Sequence, residues 1–156
     1  EVDFDSKYMV LKDSKGRREE PRRHIVPLLP EAINIIKSMM PQKYIFSCNG
    51  GVSPVDISYI QKIVRMVSTD MVNSGEVAEP FSAGTIRATI ESRLIARPYK
   101  VTSDVLAQLL SHGLGGVQQR HYQHHDFFDE KLEALIKLYS MVTNKEQNVI
   151  QLRASI

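Results

Sequence analysis

His112 and Tyr122 are the residues whose types and spacing most invite chemistry. The imidazole stands where a short apolar helix runs out. The phenol follows ten positions later, across Gly113, Gly115 and Gly116. Glycines allow the chain to fold back sharply there. Tyr122 has Gln, Arg and His around it and no aliphatic neighbour, so it is a poor core residue and a candidate nucleophile. A second grouping is basic: Lys12, Lys15, Arg17, Arg18, Arg22 and Arg23 stand against Asp13, Glu19 and Glu20. Such a loop can touch phosphates, and it can equally be a solvated hairpin tip. A third, His121, His124, His125 and Asp126, raises a metal reading. His121 and His125 share a helix face, but no third ligand follows at the spacing such sites use, so no metal is expected.

Several elements must position these residues. Residues 8–11 and 24–28 are short apolar runs joined by a charged, glycine-bearing loop, the pattern of a hairpin with a long tip. Pro27 places the second run at an edge or a strand end. Pro30 and Glu31 open a helix that reaches about Met39, before Pro41. Residues 44–47 read as a brief extended piece, followed by a turn at Asn49-Gly50-Gly51. Ser53, with Pro54 and Asp56, reads as a helix start. Ile57, Ile60, Ile63, Val64, Val67 and Met71 then form a long apolar stripe, which Asn73-Ser74-Gly75 ends.

Residues 75–80 are a linker, and Ser82 caps the next helix. Ile86, Ile90 and Leu94 face the core there, with Arg87 one step off at the core boundary; the plain alternative for Arg87 is a surface pair with Glu91. Arg97-Pro98 closes that helix. Thr102 or Ser103 caps the helix before His112, and Val105, Leu106, Leu109 and Leu110 are its apolar face. Residues 129–141 form an amphipathic helix through Leu132, Leu135, Ile136 and Tyr139, with Phe127 and Phe128 as anchors. The tail to Ile156 is uninformative. The pattern is α+β and mainly helical, with a small antiparallel hairpin or sheet at the N-terminal side.

A chain of 156 residues with 42% hydrophobic content is one domain with an ordinary core, and its net charge of +2 says little about partners. The single Cys48 fits a reducing cytosol and reads as a small buried residue. No signal peptide or bilayer-length run is present in the sequence, so a cytoplasmic protein is expected. The chain opens at Glu1 without an initiator Met and reads as part of something longer.

Leu109-Leu110-Ser111-His112-Gly113 followed by Arg120-His121-Tyr122 resembles the closing signature of the tyrosine recombinase (phage integrase) family. Thr85-Ile86-Arg87-Ala88-Thr89 resembles its His-x-x-Arg box. Lys15-Gly16-Arg17-Arg18 and His24-Ile25-Val26-Pro27-Leu28 resemble its lysine hairpin and the strand that follows. The resemblance spans residues 1 to about 135, with the four motifs in the family's order.

The resemblance implies the family's catalytic-domain fold and site-specific DNA recombination or integration. Tyr122 would attack a backbone phosphate and displace a 5′ hydroxyl, leaving a 3′-phosphotyrosyl link. A free tyrosine has a pKa of about 10, so Tyr122 needs help to lose its proton. Arg87 would hold two phosphate oxygens with its fork, and His112 would donate a hydrogen bond nearby. Lys15 would protonate the leaving oxygen, with Lys12 as the alternative. Lys12, Arg17, Arg18 and Arg120 would touch DNA. No metal or cofactor is implied.

The partners implied are double-stranded DNA attachment sites and a homo-tetramer on DNA, the free chain being a monomer or dimer, with no membrane. The helix at 129–141, followed by the tail to 156, would either pack on its own domain and hold Tyr122 in one place or, as the resemblance implies, dock on a neighbouring subunit, so that assembly controls whether Tyr122 reaches the phosphate. Two departures stand out. Gly84 occupies the place of the family's box histidine, and no upstream Thr-Gly-x-Arg-like segment occurs in residues 1–156. These residues are therefore expected to be a partial catalytic domain, poorly active alone. Two other readings remain: a DNA-binding relative that lost activity, and a strand-nicking topoisomerase-like enzyme.

Overall fold

The computed structural model describes residues 1–13, 21–39, 43–112 and 126–144. They fall into two units, one of residues 1–33 and 94–156, the other of residues 34–93. Among the described residues the chain is α+β, with a three-stranded antiparallel sheet at the N-terminal side and helices after it.

In the first unit, β1 (Val2–Asp3), β2 (Tyr8–Asp13) and β3 (Arg22–Pro27) lie in that order, with Val2 opposite Met9, Leu11 opposite His24, and Asp13 opposite Arg22. β1 was not expected: two residues carry no periodicity, and only pairing with β2 defines them. In the turn between β1 and β2 the Ser6 N–H donates to Asp3 Oδ1 at 2.8 Å. That bond holds the Asp3 carboxyl below its usual pKa. Pro27 ends the edge strand β3, where a missing N–H costs no ladder bond. His24 and Val26 alternate inward on β3, and Leu28 and Leu29 extend the buried run.

α1 (Pro30–Ser38) has proline at its first position, where no intrahelical N–H is needed. α4 (Ser103–Leu110) is capped by Thr102, whose hydroxyl accepts from the Val105 N–H at 3.4 Å. Val105 and Leu106 are its buried residues.

α5 (Phe128–Thr143) packs against β3 and α4 of its own unit. Leu132 and Ile136 are buried on Leu29, with Leu135 and Tyr139 half-buried around them. The Phe128 ring meets Tyr8 edge-on, with centroids 6.5 Å apart. In this single chain the stripe of α5 meets the apolar partners that the hairpin and α4 of its own unit supply. Burying such a side chain is worth about 1.5–3 kcal/mol. Leu132→Ala is expected to destabilise the protein by about 2–3 kcal/mol, read as a shift of the urea midpoint without a change of slope.

The second unit holds α2 (Ile57–Asn73) and most of α3 (Ala83–Ile95). Residues 44–46 are bends rather than part of an extended piece. Asp56, not Ser53, caps α2, accepting from the Ser58 N–H at 2.7 Å. Ser53 is already engaged by Asn49, which takes its N–H at 3.0 Å and donates to its hydroxyl at 2.9 Å. Gly75, at φ +75°, closes α2 in the left-handed region as its sequence predicts.

The α2 stripe departs from expectation. Ile57 is 71% exposed, Ile60 39%, Ile63 41% and Val67 46%. Ser68 is the buried residue of α2, its hydroxyl accepting from the Phe81 N–H at 2.7 Å. The described neighbours cover only the Ser68 side of the helix. On α3, Leu94 is buried and Ile90 half-buried, but Ile86 and Arg87 are exposed. Arg87 is thus exposed rather than at a core boundary; among the described residues, Leu94 near the C-terminal end is the buried residue of α3. Among the described residues no helix is long and apolar enough to cross a membrane.

Candidate active site

His112 sits at the C-terminal end of α4, as its position after Leu109-Leu110 predicts. Ser111 turns the chain there through the left-handed region (φ 53°, ψ 48°), and the His112 N–H returns to the Ala107 carbonyl at 3.1 Å. The imidazole side is exposed. Ser111 itself is buried and is the hub of a network that sequence reasoning missed. Its hydroxyl donates to the Asp13 carboxylate. Arg22 donates to Ser111 Oγ at 2.8 Å and to Gln108 Oε1 at 3.3 Å, and its Nε lies 3.8 Å from Asp13. Asp13 and Arg22 also face each other across the hairpin. The base of the basic loop is therefore joined to the helix end that carries His112.

This corrects the reading of Arg22 as one more phosphate-facing cation. Its guanidinium turns inward because Asp13 and two α4 acceptors converge on it. Hydrogen bonds of this charge-assisted kind are stronger than neutral ones, and a partly buried pair loses more than an exposed bridge when one partner is removed. Nothing local in sequence marks Ser111 as a hub: its partners lie 89 and 98 residues away.

Lys131 is a second missed residue. It is 4% exposed, and its Nζ donates to the Ile25 carbonyl at 3.0 Å and the Asp126 carbonyl at 2.7 Å. Burial depresses its pKa, and the nearby Arg22 cation acts in the same direction, while the Asp126 and Glu130 carboxylates oppose it. A signal was available: Lys131 falls at helical spacing between Phe128 and Leu135, on the face that packs. The chain thus leaves the described residues at His112, beside the Asp13–Arg22 pair, and returns at Asp126, held by Lys131 against β3.

The remaining candidates are placed as follows. Lys12 is exposed on β2, directly opposite the exposed Arg23 on β3. Arg87 is exposed in the second unit, whereas His112 and Lys12 belong to the first. Lys15, Arg17, Arg18, Arg120 and Tyr122 lie outside the described residues, as do His121, His124 and His125. Among the described residues no group of three His, Cys, Asp or Glu could hold a metal ion. Cys48 is exposed, not buried, because it lies in a turn built by Ser47 and Asn49 side-chain hydrogen bonds rather than by a core.

Gly84, at the place of the family histidine, has an ordinary helical backbone. A Cβ there would meet only Ser82 Oγ, at 3.5 Å. Gly84→Ala is therefore expected to stabilise the protein by about 0.5 kcal/mol through the unfolded chain's lost freedom, raising the melting temperature slightly. No family model, curated protein or solved structure matches the chain.

Proposed function

We propose that the chain belongs to the catalytic domain of a DNA integrase or recombinase that works through Tyr122. The observation that carries this reading is the Asp13–Arg22–Ser111 network. It brings the lysine-bearing hairpin and the His112 helix end, which are 98 residues apart in sequence, to one place within one unit. A phosphate clamp assembled from distant motifs needs that convergence. The facing Lys12 and Arg23 support it as well: like charges directly opposite on a sheet destabilise it, and a bound polyanion would relieve them.

In the proposed reaction Tyr122 gives up its phenolic proton to solvent water as its oxygen attacks the phosphorus of a DNA backbone phosphate. The bond to the 5′ oxygen breaks, and that oxygen takes a proton from Lys15, or from Lys12. Arg87 and His112 bind the non-bridging oxygens. The 3′-phosphotyrosyl bond keeps the diester energy, so attack by a second strand's 5′ hydroxyl restores the tyrosine and joins the strands. No metal or cofactor takes part. The partners are duplex attachment sites and further copies of the chain, as a tetramer on DNA, in the cytoplasm.

The empty position at Gly84 favours one other reading, a DNA-binding relative with impaired chemistry. The test is incubation of the longest natural chain containing these residues with duplex DNA carrying a nick near the cleavage site. A denaturation-resistant protein–DNA adduct is expected. Binding without an adduct would favour the impaired relative, and cleavage without joining of two different sites would favour a strand-nicking enzyme.

A further inference from the structure

We infer that a cavity at the start of α3 is a subsite for a DNA backbone phosphate, held by Arg65 and Gln61. The inference rests on the proposed function and extends it to residues that none of the four motifs includes. The cavity, about 250 Å³, lies within the second unit and is lined by Gln61, Arg65, Phe81, Ser82, Ala83 and Gly84. Gln61 and Arg65 are four positions apart on α2 and share a face. Among the described residues no carboxylate pairs with the Arg65 guanidinium, and the Gln61 amide has no hydrogen-bond partner.

The lining selects the ligand. It contains no acidic residue, so it does not suit a metal ion or a basic peptide. A guanidinium fork beside a carboxamide suits an oxyanion with two accessible oxygens. Gly84 keeps the space open, since it presents no side chain and its missing Cβ would touch only Ser82 Oγ. The volume is below the roughly 300–1,000 Å³ of sites that enclose a whole small ligand, which fits one group on a longer chain. Arg87 follows Gly84 by three positions on α3, so the two share a helix face about 5–6 Å apart. A phosphate in the cavity would be a near neighbour of one held by Arg87 on the same strand.

The test measures duplex DNA affinity across a salt series for the wild-type chain, Arg65→Ala, Arg65→Gln and Arg65→Lys. Each phosphate contact contributes about 0.9 to the slope of log K against log salt. Arg65→Ala is expected to keep the wild-type melting temperature, bind more weakly on all sequences, and lose about 1 from that slope. If Arg65→Ala melts early, Arg65→Gln reports the same loss of charge on a similar stem. Arg65→Lys is expected to recover the slope without the full affinity, because an ammonium lacks the fork. A wild-type slope in Arg65→Ala and Arg65→Gln overturns the subsite and leaves the proposed function standing, provided the wild type still forms its covalent adduct. A wild-type chain that binds no duplex DNA overturns both.

Discussion

Tyr122→Phe is expected to abolish the covalent protein–DNA adduct completely while leaving DNA binding and the melting temperature unchanged. The substitution removes one oxygen and keeps the ring. Without that oxygen the residue has nothing to form the ester with phosphorus. In sequence Tyr122 stands among Gln, Arg and His, a poor setting for a core residue, so the loss of its hydroxyl is not expected to disturb the fold. The measurement is adduct yield on nicked duplex by denaturing gel, alongside a binding isotherm. An adduct of wild-type yield would assign the nucleophile elsewhere.

Arg87→Ala is expected to slow single-turnover cleavage by about 10²–10³-fold, the usual cost of removing a fixed donor to developing negative charge. Arg87 is exposed on α3, so its removal leaves no cavity, and stability should hardly change. The loss should fall chiefly on the cleavage rate, since Arg87 acts on the charge that develops in the transition state, while binding should lose only the one phosphate contact, about 1 in the salt slope. His112→Ala should cost less than Arg87→Ala, since an imidazole offers a phosphate one hydrogen bond where the guanidinium fork offers two. A large loss of affinity with an unchanged single-turnover rate would reduce Arg87 to a docking contact.

Residues with strong local signals were legible in sequence. Pro30 opens α1 and Gly75 closes α2, each because one residue's backbone preference decides the matter. Ambiguity arose where two residues could do one job. Ser53 and Asp56 are both good caps, and the choice fell to Asp56 because Asn49 holds Ser53 in a separate turn. Periodicity marked the stripe of α2 but could not say that the described residues leave Ile60, Ile63 and Val67 uncovered, since a pattern shows what a helix could bury and not what is there to cover it. In the candidate site, His112, Lys12 and Arg87 were legible as types, while Asp13, Arg22 and Ser111 were not legible as a group. Their association depends on chain topology, which brings residues 89–98 positions apart into hydrogen-bond range.

The first unit is discontinuous: residues 1–33 and 94–156 enclose residues 34–93 in sequence. During synthesis the hairpin therefore emerges long before the helix that covers it. About 100 residues separate Leu29 from Leu132, roughly 5–20 s of elongation at about 5–20 residues per second. An isolated hairpin is marginal in water. Throughout that interval its apolar run of Val26, Leu28 and Leu29, together with the unpaired edge of β3, is open to other nascent chains. α5 is thus the closing step of the unit's assembly: the contact that draws Asp126 onto β3 also ends the period in which the hairpin is exposed to misassociation.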